Sequence, residues 1–128
     1  MTEKVQYWLD LSDYDLETAE AMLISGRYLY VGFMCHQTIE KILKAYYCSK
    51  FSDTPPFSHN LSLLSNKSGL DDLLKDDFKE FINILEPLNI EARYPTHKQQ
   101  LLKSLTKNRC KEILLNTKKF QLWLKEKL

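Results

Sequence analysis

Seven residues punctuate this chain: glycines at 26, 32 and 69 and prolines at 55, 56, 87 and 95. Glycine and proline are where a backbone turns tightly. With so few of them, the chain is restricted to long elements with few breaks. The same scarcity removes the Gly-rich phosphate loops, since neither GxGxxG nor GxxxxGK[ST] occurs. Any nucleotide bound here is held by other means.

Between these breaks the apolar residues recur at helical spacing. Residues 3–25 carry Val5, Trp8, Leu9, Leu16, Ala19, Met22 and Leu23, and Gly26 fits a stop just beyond them. Residues 28–51 are the most apolar, with Val31, Met34, Cys35, Ile39, Ile42, Leu43 and Tyr46 on one side. They predict a central helix buried on most faces. Pro55 and Pro56 end that run. Ser58 is the expected N-cap of a short helix over 59–66, which "NKSG" closes. Ser68 is the expected cap of the next helix, with Asp71 and Asp72 in its first turn and an inner face of Leu70, Leu73, Leu74, Phe78, Phe81, Ile82 and Leu85. Thr96 and Gln99 spell a T-x-x-Q capping box, so the last helix is expected to begin at His97. Its stripe runs Leu102, Leu105, Cys110, Ile113, Leu114, Thr117, Phe120 and Leu124. No strand pattern or repeat interrupts the series. The expectation is one all-α domain over residues 1–128, an up-and-down bundle of four long helices plus one short one.

Composition agrees with a single globular domain, at 44% apolar and 27% charged residues. No apolar run approaches the roughly 20 residues that span a bilayer, and the acidic N-terminus is unlike a signal peptide. Three cysteines without CxxC spacing point to neither a disulfide framework nor a zinc site. A cytoplasmic protein with reduced thiols, no metal and no cofactor is expected. The net charge of +1 conceals a division: residues 1–92 hold 8 basic and 15 acidic side chains, residues 93–128 hold 10 basic and 2 acidic. Either the last segment packs on an acidic body, or it offers a basic surface to phosphates.

Two constellations carry candidate chemistry. The first is "EARYPTHKQQ" at 91–100. The capping box accounts for Pro95 and Thr96, but not for Arg93, Tyr94 or His97. A His97 at the first helical position would stand beside backbone N–H groups and the positive dipole end, a site for an anion that Arg93 also reaches and Lys98 reinforces. The alternative is a solvated histidine and an arginine paired with the acidic body. The second is "HQTIEKILKAYY", where Gln37, Glu40 and Lys44 at i, i+3 and i+7 share one helix face. They form a solvated stripe or a buried, mutually paired set. His59 reads as a local contact at the start of the short helix. Tyr46, Tyr47 and Phe51 read as core or dimer interface. His36 beside Cys35 lacks the further ligands a metal needs.

Taken in order, these residues resemble the HEPN domain, the "higher eukaryotes and prokaryotes nucleotide-binding" family. Trp8 and "YDLETAEAML" lie in the first helix, followed by "GRYLYVGFMCHQTIEKILKAYY", "PPFSHNLSLL" and "EARYP", and together they span nearly the whole chain. The resemblance implies a helical bundle, commonly a homodimer, with a minimal nucleotidyltransferase as partner, as in toxin–antitoxin pairs. It also implies a second activity, since many members are metal-independent ribonucleases using an arginine and a histidine, here Arg93 and His97. Only Tyr94, Pro95 and Thr96 lie between those two, one residue short of the family spacing, and the "ARYP" form is similar to the nucleotide-binding branch. The expected function is nucleotide or RNA binding by Arg93, Tyr94, His97 and Lys98, with Gln37, Glu40 and Lys44 lining or bracing the site. The alternatives are RNA cleavage by Arg93 and His97, or a scaffold without ligand.

Overall fold

The computed structural model describes residues 1–90 and 94–128. The described residues form six α-helices and no strand: α1 (Glu3–Ile24), α2 (Tyr28–Lys50), α3 (Leu61–Ser68), α4 (Asp76–Leu85), α5 (Pro95–Ser104) and α6 (Lys107–Lys125). Single 3-10 turns at Leu70–Asp72 and Glu86–Leu88 precede and follow α4.

The hairpin of α1 and α2 is the spine. Thr2 starts α1 by accepting the Val5 N–H at 3.2 Å. Gly26 ends the turn at φ 74°, a left-handed conformation that a Cβ would strain. Its N–H reaches the Leu23 carbonyl and the Arg27 N–H the Met22 carbonyl, so the last turn of α1 keeps its hydrogen bonds. Helix α2 then runs through the middle of the molecule against α1, α3, α4, α5 and α6. Val31, Cys35, Ile39, Ile42 and Leu43 are fully buried along it. Helix α6 adds Ile113, Leu114, Phe120 and Leu124 to the same core, and Phe78 of α4 is wedged edge-on against Phe120. At Gly32, an added Cβ would meet methyls of Leu88 and Leu105 at 3.3 Å, which is how closely the second half of the chain approaches α2.

Polar ties fix the three long helices. Ser12 of α1 donates to the Thr38 carbonyl of α2 at 2.8 Å, and Gln121 of α6 donates to the Ser12 hydroxyl at 2.9 Å and to Asp13 at 3.0 Å. Ser12, Thr38 and Gln121 are buried, so these bonds satisfy groups that water cannot reach.

The all-α class holds, but the division into four long helices and one short one does not. Only α1, α2 and α6 are long. The helix expected from Ser68 to Leu85 is broken, because the Ser68 hydroxyl is turned back onto the Ser65 carbonyl and caps nothing. Ser65 and Asn66 hold the Asp71 carboxylate at 2.6 and 3.2 Å, which keeps residues 70–72 as a separate turn. The short helix starts two residues later than expected. Asn60 is its cap, accepting from the Leu63 N–H, while Ser58 accepts from the Asn60 N–H in the preceding turn. The expected last helix is two, divided at Leu105 and Thr106. Thr106 is extended (φ −73°, ψ 166°) and its hydroxyl accepts from the Arg109 N–H at 3.2 Å. The first of the two starts at Pro95 with Tyr94 as N-cap and no side-chain cap bond, so Thr96 and Gln99 do not act as the capping box. Two residues of the expected stripes also face outward: Leu73 is 50% and Leu102 56% exposed.

Candidate functional site

Helix α2 has one carboxylate inside the molecule. Glu40 is 1% exposed, on a turn whose neighbours Ile39, Ile42 and Leu43 are fully buried. A lone charge there would be expelled or neutralised at large cost. Both of its oxygens are engaged instead. Oε2 accepts from Lys44 Nζ at 3.2 Å, one turn along the helix, and Oε1 meets His59 Nδ1 at 2.8 Å. Lys44 also lies 5.1 Å from the centre of the Trp8 ring, so its ammonium is held by a carboxylate on one side and an aromatic face on the other. One turn earlier, Lys41 donates to Gln37 at 3.0 Å and to Asp15 of α1 at 3.3 Å. Burial raises the Asp15 carboxyl above its ordinary value, against the attraction of Lys41.

These residues line one pocket between α1, α2 and the loop 54–59, with a cavity volume of about 230 Å³. Trp8, Pro55, Pro56 and Phe57 supply apolar wall; Gln37, Lys41 and His59 supply polar groups. The two prolines stiffen the loop, and Phe57 stands at its tip fully exposed to solvent. Beside this set lies His36, wholly buried. Gln37 Nε2 donates to its Nδ1 at 3.3 Å, which leaves the proton of the neutral ring on Nε2, and Nε2 has no hydrogen-bond partner among the described residues. Burial pushes the His36 pKa down to about 4, opposed by the Glu40 carboxylate, so the ring is neutral at physiological pH.

The structure therefore brings together Gln37, Glu40 and Lys44 and answers the open question about them: they are a buried or half-buried paired set. It does not bring His97 or Lys98 into the lining of that pocket. His97 is the third residue of α5, and its Nε2 donates to the Pro87 carbonyl at 3.1 Å, fastening α5 to the turn after α4. It is neither the first helical residue nor a ring free to meet an anion through that nitrogen. Tyr94 is 84% exposed. Arg93 lies outside the described residues, and with it the expectation that it binds at a site lined or braced by Gln37, Glu40 and Lys44. Tyr46 is buried, so it belongs to the core and not to a dimer surface, whereas Tyr47 packs against the half-exposed Phe51 at 4.8 Å.

Sequence reasoning missed Lys41 and the loop wall, and it read His59 as a local contact, whereas His59 reaches Glu40 of α2. Lys41 carried a signal, as the i+4 partner of Gln37. His59 carried none that is local, because its partner lies 19 residues away.

Two other cavities are less suited to a ligand. One of about 290 Å³ is bordered by Ser62, Ser65, Asp71, Lys79 and Asn83, but its carboxylate is already held by Ser65 and Asn66. Another of about 240 Å³, beside Pro87, Leu88, Leu101, Leu105 and Ile113, is almost wholly apolar. Among the described residues no group of three or more His, Cys, Asp and Glu is placed to hold a metal ion, and no helix is long and apolar enough to cross a membrane. Cys35, Cys48 and Cys110 are buried and free.

Residues 5–128 match the sequence pattern of the HEPN domain. No curated protein matches the chain. The crystal structure of TT1696 from Thermus thermophilus is similar in fold, with a TM-score of 0.80 at 22% identity over 99% of this chain and 100% of that one.

Proposed function

The chain belongs to the HEPN domain family, and from that premise we propose that it is a nucleotide- or RNA-binding module whose pocket beside Glu40 accepts one nucleobase. The observation that carries this reading is the pairing of an apolar loop wall with three convergent polar groups, Gln37, Lys41 and His59, around a cavity of about 230 Å³. That is smaller than the roughly 300–1,000 Å³ of sites for drug-sized ligands. It suits one base or sugar, with the phosphates outside it. Charge supports the same division: Glu40 is matched by Lys44 and Lys41 by Asp15, so no unpaired cation there calls a phosphate in, while Arg93 and Lys98 belong to the basic C-terminal segment. Phe57, wholly exposed on a stiff loop, is the surface on which a base stacks. The module works as a homodimer in the cytoplasm beside a minimal nucleotidyltransferase, as the family relationship implies.

Titration of the protein with AMP, ATP and a short single-stranded RNA, followed by calorimetry, tests the reading. Phe57→Ala is expected to weaken binding by about 1–3 kcal/mol, the usual worth of a base–aromatic stack. Its melting temperature should stay unchanged, since so exposed a ring contributes little to the core. Equal affinity of Phe57→Ala and the parent protein for all three ligands would remove the pocket from the binding site.

A further inference from the structure

Between α4 and α6 the chain leaves a groove that the pocket beside Glu40 does not use. It holds two cavities. One, of about 280 Å³, has Phe78 and the buried Phe81 of α4 on one side and Asn116 and Lys119 of α6 on the other. The second, of about 240 Å³, is the apolar one beside Leu105, bordered along α6 by Arg109 and Ile113. Ile84, 38% exposed, lines both and forms the shoulder between them. An apolar cavity of about 150 Å³ already takes up benzene, so each has room for a bulky apolar side chain. Their spacing selects the segment that fills them. On α6 the linings are offset by six to seven residues, 109 and 113 against 116 and 119. At 1.5 Å per residue this sets the cavities about 10 Å apart. A helix laid along the groove brings side chains i and i+7 to one face about 10.5 Å apart. An extended segment offers same-side residues at about 6.6 or 13 Å and would miss one cavity.

Charge sets the flanks of that helix. Asp77 and Glu80 on the α4 rim and Lys119 on the α6 rim border one cavity, and none of them has an ion pair among the described residues. We propose that the groove docks an amphipathic helix of a partner protein. That helix carries bulky apolar residues at i and i+7, lysine or arginine on the flank that meets α4, and aspartate or glutamate on the flank that meets α6. The opposed rims give it one direction, because reversing it along the groove would set like charge against like. The linings of the groove and of the pocket beside Glu40 share no residue, so a partner held here leaves that pocket open.

The test uses the full chain and a labelled helical peptide of about 18 residues, long enough to hold its helix. The peptide has two phenylalanines seven residues apart, lysines along one flank and glutamates along the other. Fluorescence anisotropy is expected to show saturable binding. A peptide of the same composition, with the second phenylalanine moved two positions on and so turned to the far side, should bind at least ~10-fold more weakly. Ile84→Asp is expected to weaken the first peptide at least ~10-fold, while Leu122→Asp, on the outward face of α6, leaves it unchanged. Lys119→Glu should weaken it at least ~3-fold and favour a peptide with lysine on both flanks. If Ile84→Asp fails to fold, the exposed Lys119 decides. Excess AMP should not displace the peptide, and its failure to bind at all would touch only the nucleotide reading. No saturable binding, equal affinity for the two peptides, or binding that ignores both Ile84→Asp and Lys119→Glu overturns the proposal. Sedimentation showing self-association of the chain that Ile84→Asp abolishes overturns it too, since a second copy then fills the groove.

Discussion

At the scale of single residues, the pocket is built around a balance that one change upsets. Glu40 and Lys44 are both nearly buried, and removing either leaves the other charge without its partner in a low-dielectric setting. Glu40 is therefore structural as well as part of the pocket, which is why the exposed His59 is the more informative position to vary. His36 adds a pH dependence of its own. Its folded pKa is held near 4 by burial, against an ordinary 6.5. Above pH 6.5 the ring is neutral folded and unfolded, and it neither adds nor removes stability. As the pH falls from 6.5 towards 4 the unfolded chain takes up the proton first, so stability falls, by about 3 kcal/mol in all. Below 4 both states are protonated and the loss stops growing. His36→Leu is expected to flatten this part of the curve of unfolding free energy against pH. Parallel curves for the two proteins between pH 6.5 and 4 would show that the ring is not buried neutral.

At the scale of elements, the second half of the chain depends on caps that differ from those its sequence advertises. Thr96 precedes Gln99 at capping-box spacing, yet it lies inside α5, exposed, with no cap bond. Thr106 has no such box, yet its hydroxyl holds the first turn of α6. Thr106→Ala is expected to destabilise the protein by about 1 kcal/mol, and Thr96→Ala by less than about 0.5 kcal/mol. Urea melts of the two variants check this, and a larger loss at Thr96 would restore the capping box. The contrast shows what the sequence can and cannot disclose. Gly26, Gly69 and the Pro55–Pro56 pair were legible as breaks, because glycine and proline act on the backbone directly. The break at Leu105 was not, because Leu105 and Cys110 continue the apolar stripe across it and both end in the core. The face shared by Gln37, Glu40 and Lys44 was legible from spacing on one helix. Its completion by His59 was not, since it needs the loop to fold back onto α2.

At the scale of the molecule, the divided charge is resolved partly inward. Lys118 and Lys125 of α6 pair with Glu20 and Asp13 of α1 at 3.3 and 2.7 Å, and Arg109 pairs with Glu112 within α6. Lys98 and Lys103 of α5 have no ion pair among the described residues. The long basic helix thus partly neutralises the acidic body, and α5 carries the two lysines that the body leaves unmatched. Each phosphate neutralised on a single strand contributes about −0.7 to the slope of log affinity against log salt. If Lys98, Lys103 and Arg93 each meet one, the slope for single-stranded RNA is expected at about −2, and at about −0.7 when Lys98→Ala and Lys103→Ala are combined. Replacing Lys118 and Lys125 instead should lower stability slightly, as exposed pairs do, and leave the slope alone. Affinities measured from about 50 to 200 mM salt, the range over which counterion release is usually read, decide between these. A slope that ignores the α5 changes but follows those at Lys118 and Lys125 would move the phosphate path from α5 to α6.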